Sequence, residues 1–149
     1  MKLRLSLLLL TLWLTACQPA LPPVTADVDA EFTLAPDQTA TITNSGLTIR
    51  LVAVTGDDRC PIDVECYASG PVTFILSVEA GSAVPTEFVM RTFTGYDGRS
   101  PQGPFEGIQD RIEVGGYMIR VVGVLPHPEG FGDEIKPGEY RVTFVVTKK

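Results

Sequence analysis

The stretch VTFILSVE, residues 72–79, decides the fold class of this chain. Its even-numbered residues are all apolar, whereas the odd-numbered ones include Thr73, Ser77 and Glu79. Successive side chains of a β-strand point to opposite faces, so this period of two predicts a strand with one buried face. The same alternation predicts two more strands, with Tyr140, Val142, Phe144 and Val146 on one face of the first and Tyr117, Ile119, Val121 and Leu125 on one face of the second.

Turn residues separate these strands from other candidates, and Asn44-Ser45-Gly46 and Lys136-Pro137-Gly138 are typical tight turns. After the N-terminal segment no stretch has a helical apolar period of useful length, and 14 glycines and 12 prolines would interrupt one. We therefore expect an all-β domain, an antiparallel β-sandwich of about seven or eight strands, with a small β-barrel as the alternative. The further strands are predicted at Glu31–Leu34, Thr39–Thr43, Leu47–Thr55 and Glu87–Thr94.

The N-terminal segment, MKLRLSLLLLTLWLTAC, has the composition of an export signal. Lys2 and Arg4 precede a mostly apolar run from Leu5 to Leu14, and small residues follow it. This run of about ten residues is well short of the roughly 20 that a membrane-spanning helix needs. The segment therefore predicts export rather than a permanent transmembrane helix.

The end of this segment, Leu14-Thr15-Ala16-Cys17, resembles the lipobox of bacterial lipoproteins. The resemblance implies a diacylglycerol on the Cys17 thiol, with the signal removed before it, and two or three acyl chains hold a protein on a membrane durably. Gln18 then implies the outer membrane of a double-membraned host, facing the periplasm or the surface; a Gram-positive host would carry a surface lipoprotein. A secretory signal with a cysteine near its cleavage site is the alternative.

The rest of the chain has the length of one domain with its own core. We expect a lipoprotein signal peptide at residues 1–16, a lipid-anchored tether at 17–30 in which prolines favour extended chain, and a single β-sandwich domain at 31–149. The formal net charge is −6 at pH 7. Nucleic acid is therefore a poor partner, because binding to its phosphates needs a basic surface.

Cys60 and Cys66 are the pair that remains if Cys17 carries lipid, since the chain has three cysteines. In an oxidising compartment an even pair predicts a disulfide. A redox centre is the weaker interpretation, because neighbouring acids raise the pKa of a thiol and disfavour the reactive thiolate. Structural zinc needs four nitrogen or sulfur ligands, and only His127 would add to the pair.

The segment around the pair, Asp57-Asp58-Arg59-Cys60-Pro61-Ile62-Asp63-Val64-Glu65-Cys66, resembles the signature Asp-x-Arg-Cys-Pro-x-x-Val-x-Cys of a family of small, uncharacterised bacterial lipoproteins. In that family a strand precedes the signature, and a glycine, here Gly70, and another strand follow. The family has no established activity, so the resemblance implies fold and compartment alone. A tryptophan expected after the second cysteine is absent, and Tyr67 and Ala68 occupy that neighbourhood.

The acids of this segment are weak candidates for a calcium site, because Ca²⁺ takes six to eight oxygen ligands from irregular loops. Their spacing matches no EF-hand, and solvated loop acids partly neutralised by Arg59 are the favoured interpretation. The four candidate ligands are Asp57, Asp58, Asp63 and Glu65.

Residues 57–70 and 94–110 are the candidate binding loops. Long loops with large side chains often bind a partner, and aromatic and arginine side chains contribute most to interface energy. Alternatively, Phe105 only pins its loop to the core. The candidate contact residues are Arg59, Ile62, Tyr96, Arg99 and Phe105.

An enzyme needs a nucleophile with its base, a carboxylate pair in a cleft, or a metal with an open position. His127 is the only histidine, and between two prolines we expect it to be exposed. The sequence has no Gly-x-Ser-x-Gly elbow to present a serine. We therefore predict neither enzymatic activity nor a cofactor.

The favoured function is a lipid-anchored module of the bacterial cell envelope that binds a protein or glycan partner through residues 57–70 and 94–110. Its membrane contact would be the lipid on Cys17. A lipoprotein that binds a metal ion or a small ligand, and an inhibitor of a hydrolase, are the alternatives.

Overall fold

The computed structural model describes residues 21–149. The predicted signal peptide, the lipidation site Cys17 and the first part of the predicted tether lie outside these residues. Within the described part of the chain, no helix has the length and apolar character needed to cross a bilayer.

Residues 21–149 form nine β-strands and one short 3-10 helix, η1, at Pro137–Glu139. Seven of the strands coincide with segments in which the sequence predicts strands, because each carries the period-two pattern or a dense run of β-branched and aromatic residues. The strands are β1 (Val24–Ala26), β2 (Glu31–Leu34), β3 (Thr39–Ile42), β4 (Leu47–Asp57), β5 (Val72–Ala80), β6 (Thr86–Thr92), β7 (Arg111–Val114), β8 (Tyr117–Leu125) and β9 (Arg141–Lys148).

The strands make two packed sheets, which confirms the β-sandwich and excludes the closed barrel. One sheet has five strands in the order β1-β3-β4-β5-β6, and the other has four in the order β2-β9-β8-β7. All neighbours are antiparallel except β1 and β3, which are parallel.

The core lies between the two sheets. Phe74 of β5 and Phe144 of β9 meet edge to face across it, with ring centroids 5.8 Å apart, and Phe32 of β2 packs against Phe144 at 5.9 Å. Val72, Phe74, Leu76 and Val78 of β5 are buried, as the alternation predicts. Burying one such side chain stabilises the fold by roughly 1.5–3 kcal/mol, so this face holds the sheets together.

Two short strands, β1 and β7, are not predicted from the sequence. β1 lies in the segment assigned to the tether, and its pairing with β3 places the first strand of the sandwich at Val24 rather than at Glu31. β7 ends the long loop and pairs with β8. β2 and β3 are as short as β7, yet the sequence predicts them, so length alone does not explain the difference; β1 lies in the segment assigned to the tether, and β7 directly follows the long loop.

The prediction that Leu125 shares the buried face of β8 is wrong. Leu125 is 50% exposed, whereas Val124 is fully buried. The register between β8 and β9 shifts between Val121 and Gly123. A β-bulge of this kind inserts one extra residue, so every later side chain of the strand moves to the opposite face.

Three loops lie together at one end of the sandwich, which we call the loop end. The pairing of Asp57 with Val72, of Val72 with Thr92, and of Leu125 with Arg141 places the corresponding strand ends side by side. The opposite end carries the β5–β6 turn at residues 81–85. The loops are the disulfide loop (residues 58–71), the long loop (93–110) and the proline loop (126–140).

Candidate functional site

Arg59 lies at the centre of the loop end and is buried. The whole residue is 4% exposed, and its side chain is inaccessible to solvent. The prediction that Arg59 contacts a partner is therefore corrected, because a guanidinium enclosed by its own chain presents no surface to another protein. Its hydrogen bonds instead connect the three loops of the loop end.

The Arg59 guanidinium is bound through its Nε, Nη1 and Nη2 groups. Nε donates to Oδ1 of Asp57 at 2.8 Å and Nη2 to Oδ2 at 2.6 Å, a forked pair of charge-assisted hydrogen bonds. Nη1 donates to the Val124 carbonyl at 3.0 Å and to the Thr94 hydroxyl at 3.4 Å, and Nη2 also donates to the Pro126 carbonyl at 2.7 Å. One side chain of the disulfide loop thus fastens the long loop, the end of β8 and the start of the proline loop.

Asp57 balances the buried charge of Arg59. Burial alone would raise the pKa of the Asp57 carboxyl, but the hydrogen bonds and positive charge of Arg59 outweigh it, and the pKa lies below its usual value. The Tyr140 hydroxyl donates a further hydrogen bond to Oδ2 at 3.1 Å. Burial, followed by the negative charge of Asp57, raises the pKa of Tyr140 to about 12. Asp57 therefore stays ionised and Tyr140 neutral at physiological pH.

The disulfide between Cys60 and Cys66 is present, with Cα atoms 5.9 Å apart, which confirms the predicted pairing. The loop it closes is paired with the proline loop. The Ile62 amide donates to the Pro128 carbonyl at 3.0 Å, and the Asp63 amide donates to the Glu129 carbonyl at 2.9 Å. The disulfide loop therefore lies against a second loop rather than projecting alone.

His127 is buried, contrary to the expectation that it is exposed. Only 7% of the residue is accessible. Its Nε2 lies 2.9 Å from the Cys60 carbonyl oxygen, and its ring meets Tyr96 edge to face at 5.2 Å. The imidazole thus links the disulfide, proline and long loops beside Arg59. A histidine between prolines carries no sequence signal for this position, because the three loops meet only in the folded chain.

Two of the predicted contact residues in the long loop are held by the chain itself. Arg99 forms a forked ion pair with Glu31 at 2.7 and 2.9 Å, and both side chains are about half exposed. Hydrogen bonding to Glu31 raises the pKa of Arg99 and lowers that of Glu31. Phe105 packs edge to face against Phe93 at 5.9 Å. Phe105 therefore helps to fasten the long loop, although part of its ring remains exposed.

Besides Phe105 and Leu125, the exposed large side chains of the loop end are Ile62, Tyr67 and Tyr96, together with Phe131 of the proline loop. The disulfide loop and Tyr96 line an open groove of about 750 Å³. Sequence reasoning identified Ile62 and Tyr96 but missed Tyr67 and Phe131. Tyr67 occupies the neighbourhood in which the resembling family carries tryptophan, and that was the available signal for an aromatic residue here.

The four weak calcium candidates do not converge. Asp57 is held by Arg59 and Tyr140, while Asp58, Asp63 and Glu65 are exposed. Among residues 21–149, no three His, Cys, Asp or Glu side chains come close enough together to hold a metal ion.

Comparison of the chain with protein-family models, with curated proteins and with solved structures finds no match. The geometry of the loop end therefore carries the functional interpretation. It combines exposed apolar side chains with loops that are fastened by buried polar contacts, which suits recognition of another molecule.

Proposed function

We propose that this chain is a lipid-anchored module of the bacterial cell envelope that binds a protein partner through its loop end. The lipobox-like segment at Leu14-Thr15-Ala16-Cys17 supports the anchor, and the disulfide supports an oxidising compartment. The single observation that carries the binding role is the groove of about 750 Å³ lined by Ile62, Tyr67 and Tyr96.

These three side chains are of kinds suited to binding. Aromatic side chains bury a large area with few rotatable bonds, and tyrosine is enriched among the residues that dominate interface energy. Tyr67 and Tyr96 are both exposed in the folded chain, although burial of their rings would be favourable. A protein surface that covers the groove would bury them.

The buried fastening of the loops also favours binding. A flexible loop loses conformational freedom when it is ordered by a partner, and that loss weakens association. Here the disulfide, Arg59 and the amides of Ile62 and Asp63 already hold the loop against its neighbours. The groove is therefore largely ordered before a partner arrives.

Site-specific photocrosslinking in living cells tests this proposal. A photoreactive residue at Ile62 is compared with one at Val84, which is exposed on the β5–β6 turn at the opposite end of the sandwich. We expect one dominant protein adduct at position 62 and background at position 84. The adduct should be lost in Tyr67→Ala and retained in Val89→Ala, which removes an exposed apolar side chain from β6.

Equal background at both positions, with the protein at normal abundance in the membrane fraction, would contradict a partner at the groove. An adduct that is carbohydrate rather than protein would replace the proposed partner class with a glycan. A protein adduct that survives Tyr67→Ala would overturn the assignment of the groove as its binding surface.

A further inference from the structure

The two cysteines of the disulfide differ in their access to solvent. Only 7% of Cys60 is exposed, whereas Cys66 is one of the exposed residues of the disulfide loop. Thiol–disulfide exchange begins when a thiolate attacks one sulfur of the bond, and its rate depends on access to that sulfur. An incoming thiolate therefore attacks Cys66 in preference and makes Cys60 the leaving group.

The first half of the disulfide loop is fastened by contacts that do not involve sulfur. Arg59 donates hydrogen bonds to the end of β8 and to the start of the proline loop. The Cys60 carbonyl oxygen lies 2.9 Å from Nε2 of His127. The amides of Ile62 and Asp63 donate to carbonyls of the proline loop at 3.0 and 2.9 Å. This half of the loop should therefore keep its place when the disulfide is broken.

The second half of the loop depends on the disulfide. Within residues 21–149, the segment 65–68 makes no hydrogen bond and no ion pair, and all four of its residues are exposed. The next residue, Ser69, accepts a hydrogen bond from the Cys60 amide at 3.1 Å. In the described part of the chain, the bond from Cys66 to Cys60 is thus the one cross-link that holds this segment, which includes Tyr67.

We propose that the disulfide is a redox switch of the groove: a dithiol reductant opens it at Cys66, releases residues 65–68 and so weakens the binding of the partner. The effect on binding rests on the proposed function, whereas the release of the segment does not. Tyr67 lies in the released segment and lines the groove. A partner would have to order this side chain again, and the lost conformational freedom weakens association.

The exchange proceeds in two balanced steps. A thiolate of the reductant bonds to Sγ of Cys66 as the S–S bond breaks, and Cys60 leaves with the electron pair and takes up a proton. The second thiolate of the reductant then attacks the reductant sulfur of this mixed disulfide and releases Cys66, which is also protonated. The reductant becomes a disulfide, and the protein gains two electrons and two protons.

The buried thiol of Cys60 has a hydrogen-bond acceptor beside it. Its Sγ lies 3.2 Å from the Val64 carbonyl oxygen and 3.6 Å from the Pro61 carbonyl oxygen. After reduction the thiol can donate its weak hydrogen bond to Val64 without moving. Neither cysteine belongs to the core between the sheets. We therefore expect reduction to loosen half of one loop and to leave the sandwich folded.

Relaxation of the backbone ¹⁵N nuclei in the full chain, held in detergent, tests the release. On reduction with dithiothreitol, a dithiol, the order parameters of residues 65–68 should fall below about 0.6, while those of Ile62 and Asp63 stay near about 0.85. The double variant Cys60→Ser and Cys66→Ser should show the low values without reductant, and dithiothreitol should not change them further. Unchanged order parameters in the reduced wild type, or an equal fall at Ile62 and Asp63, would overturn the proposal.

Glutathione, a monothiol, identifies the sulfur that is attacked, because its first product is a mixed disulfide. After a brief reaction and an acid quench, peptide mass spectrometry should find glutathione on Cys66 in at least about tenfold excess over Cys60, because access favours Cys66. An equal distribution, or an excess on Cys60, would contradict the proposed order of events.

Photocrosslinking at Ile62 connects the switch to the partner. At equal abundance, the double cysteine variant should give at least about fivefold less adduct than the wild type, because its groove is no longer ordered in advance. An undiminished adduct would mean that the redox control of binding is wrong and that the partner groove stands. A fall in the order parameters on reduction, without any adduct in the wild type, would mean that the protein partner is wrong and that the release of the segment stands.

Discussion

Arg59, which the sequence predicts as a partner-binding residue, is instead buried and stabilises the fold. Arginine in a loop with an acidic neighbour is typical of a surface, and the sequence has no signal for burial at this position. The deciding partners are Val124 and Pro126, which lie 65 and 67 residues further along the chain. Their carbonyls meet Arg59 only because the ends of β4 and β8 lie together.

Arg59→Met should destabilise the fold by about 3 kcal/mol, because it leaves the Asp57 carboxylate partly buried without its counter-charge. Urea unfolding measures the loss. Arg50→Met is the matched control, since Arg50 pairs with Asp37 in solvent, and it should cost less than about 1 kcal/mol. Equal losses of unfolding free energy in the two variants would mean that the buried Arg59–Asp57 pair stabilises the fold no more than the exposed Arg50–Asp37 pair does.

Tyr140 should make stability fall at alkaline pH. In the unfolded chain its phenol ionises near its ordinary pKa of about 10, whereas burial raises the folded pKa to about 12. The contribution of the neutral phenol is therefore complete below about pH 10 and is lost as the pH rises through about 12. Tyr140→Phe should abolish this part of the loss of stability at alkaline pH. Urea unfolding at a series of pH values from about 9 to about 12, a range that spans both pKa values, measures it.

At neutral pH the same variant should cost about 1.5 kcal/mol, the lower end of the range for a hydrogen bond to a charged group, here the Asp57 carboxylate. Spectrophotometric titration gives an independent check, because the wild type should contain a late tyrosinate component that Tyr140→Phe lacks. Superimposable alkaline unfolding profiles for the two proteins would refute the assignment.

At the scale of elements, the period of two predicts those strands that are long and have one buried face. β5 and β9 follow it closely, and the turn at Asn44-Ser45-Gly46 joins β3 to β4, with Asn44 and Gly46 at positive φ. The pattern fails where regular pairing is interrupted, as at the bulge that exposes Leu125. It also fails for β1, whose three residues are held by pairing with β3 rather than by a pattern of their own.

The return of the disulfide loop to β5 depends on Gly70. Its amide donates to the Asp58 carbonyl at 2.8 Å, and a Cβ on residue 70 would lie 2.6 Å from that oxygen and also clash with the Asp58 Cβ. Gly70→Ala should therefore destabilise the fold by about 2 kcal/mol through overpacking.

Gly56→Ala is the control for this substitution, because a Cβ at that position would meet Thr73 at an ordinary distance of 3.8 Å. Its effect on the free energy of unfolding should stay within about 0.5 kcal/mol. Thermal or urea unfolding measures the stability of both variants. A Gly70→Ala variant as stable as the wild type would show that the loop accommodates the added Cβ.

At the scale of the whole molecule, the sequence predicted an all-β sandwich but did not decide against a barrel, because that choice depends on which strands form the edges. Of the predicted contact residues, Ile62 and Tyr96 are exposed at the loop end, and their binding to a partner stays a prediction. The roles of Arg59, His127 and Tyr140 were missed, because each depends on a contact across at least 65 residues.

The central claim is that the loops at one end of the sandwich form a single fastened surface. Amide hydrogen exchange at Ile62 and Asp63 tests it most directly, because their N–H groups join the disulfide loop to the proline loop. We predict exchange on the order of a hundredfold slower than in an unstructured peptide, with faster exchange at both amides in Arg59→Met. Exchange of both amides at the unstructured rate in the folded wild type would contradict the claim.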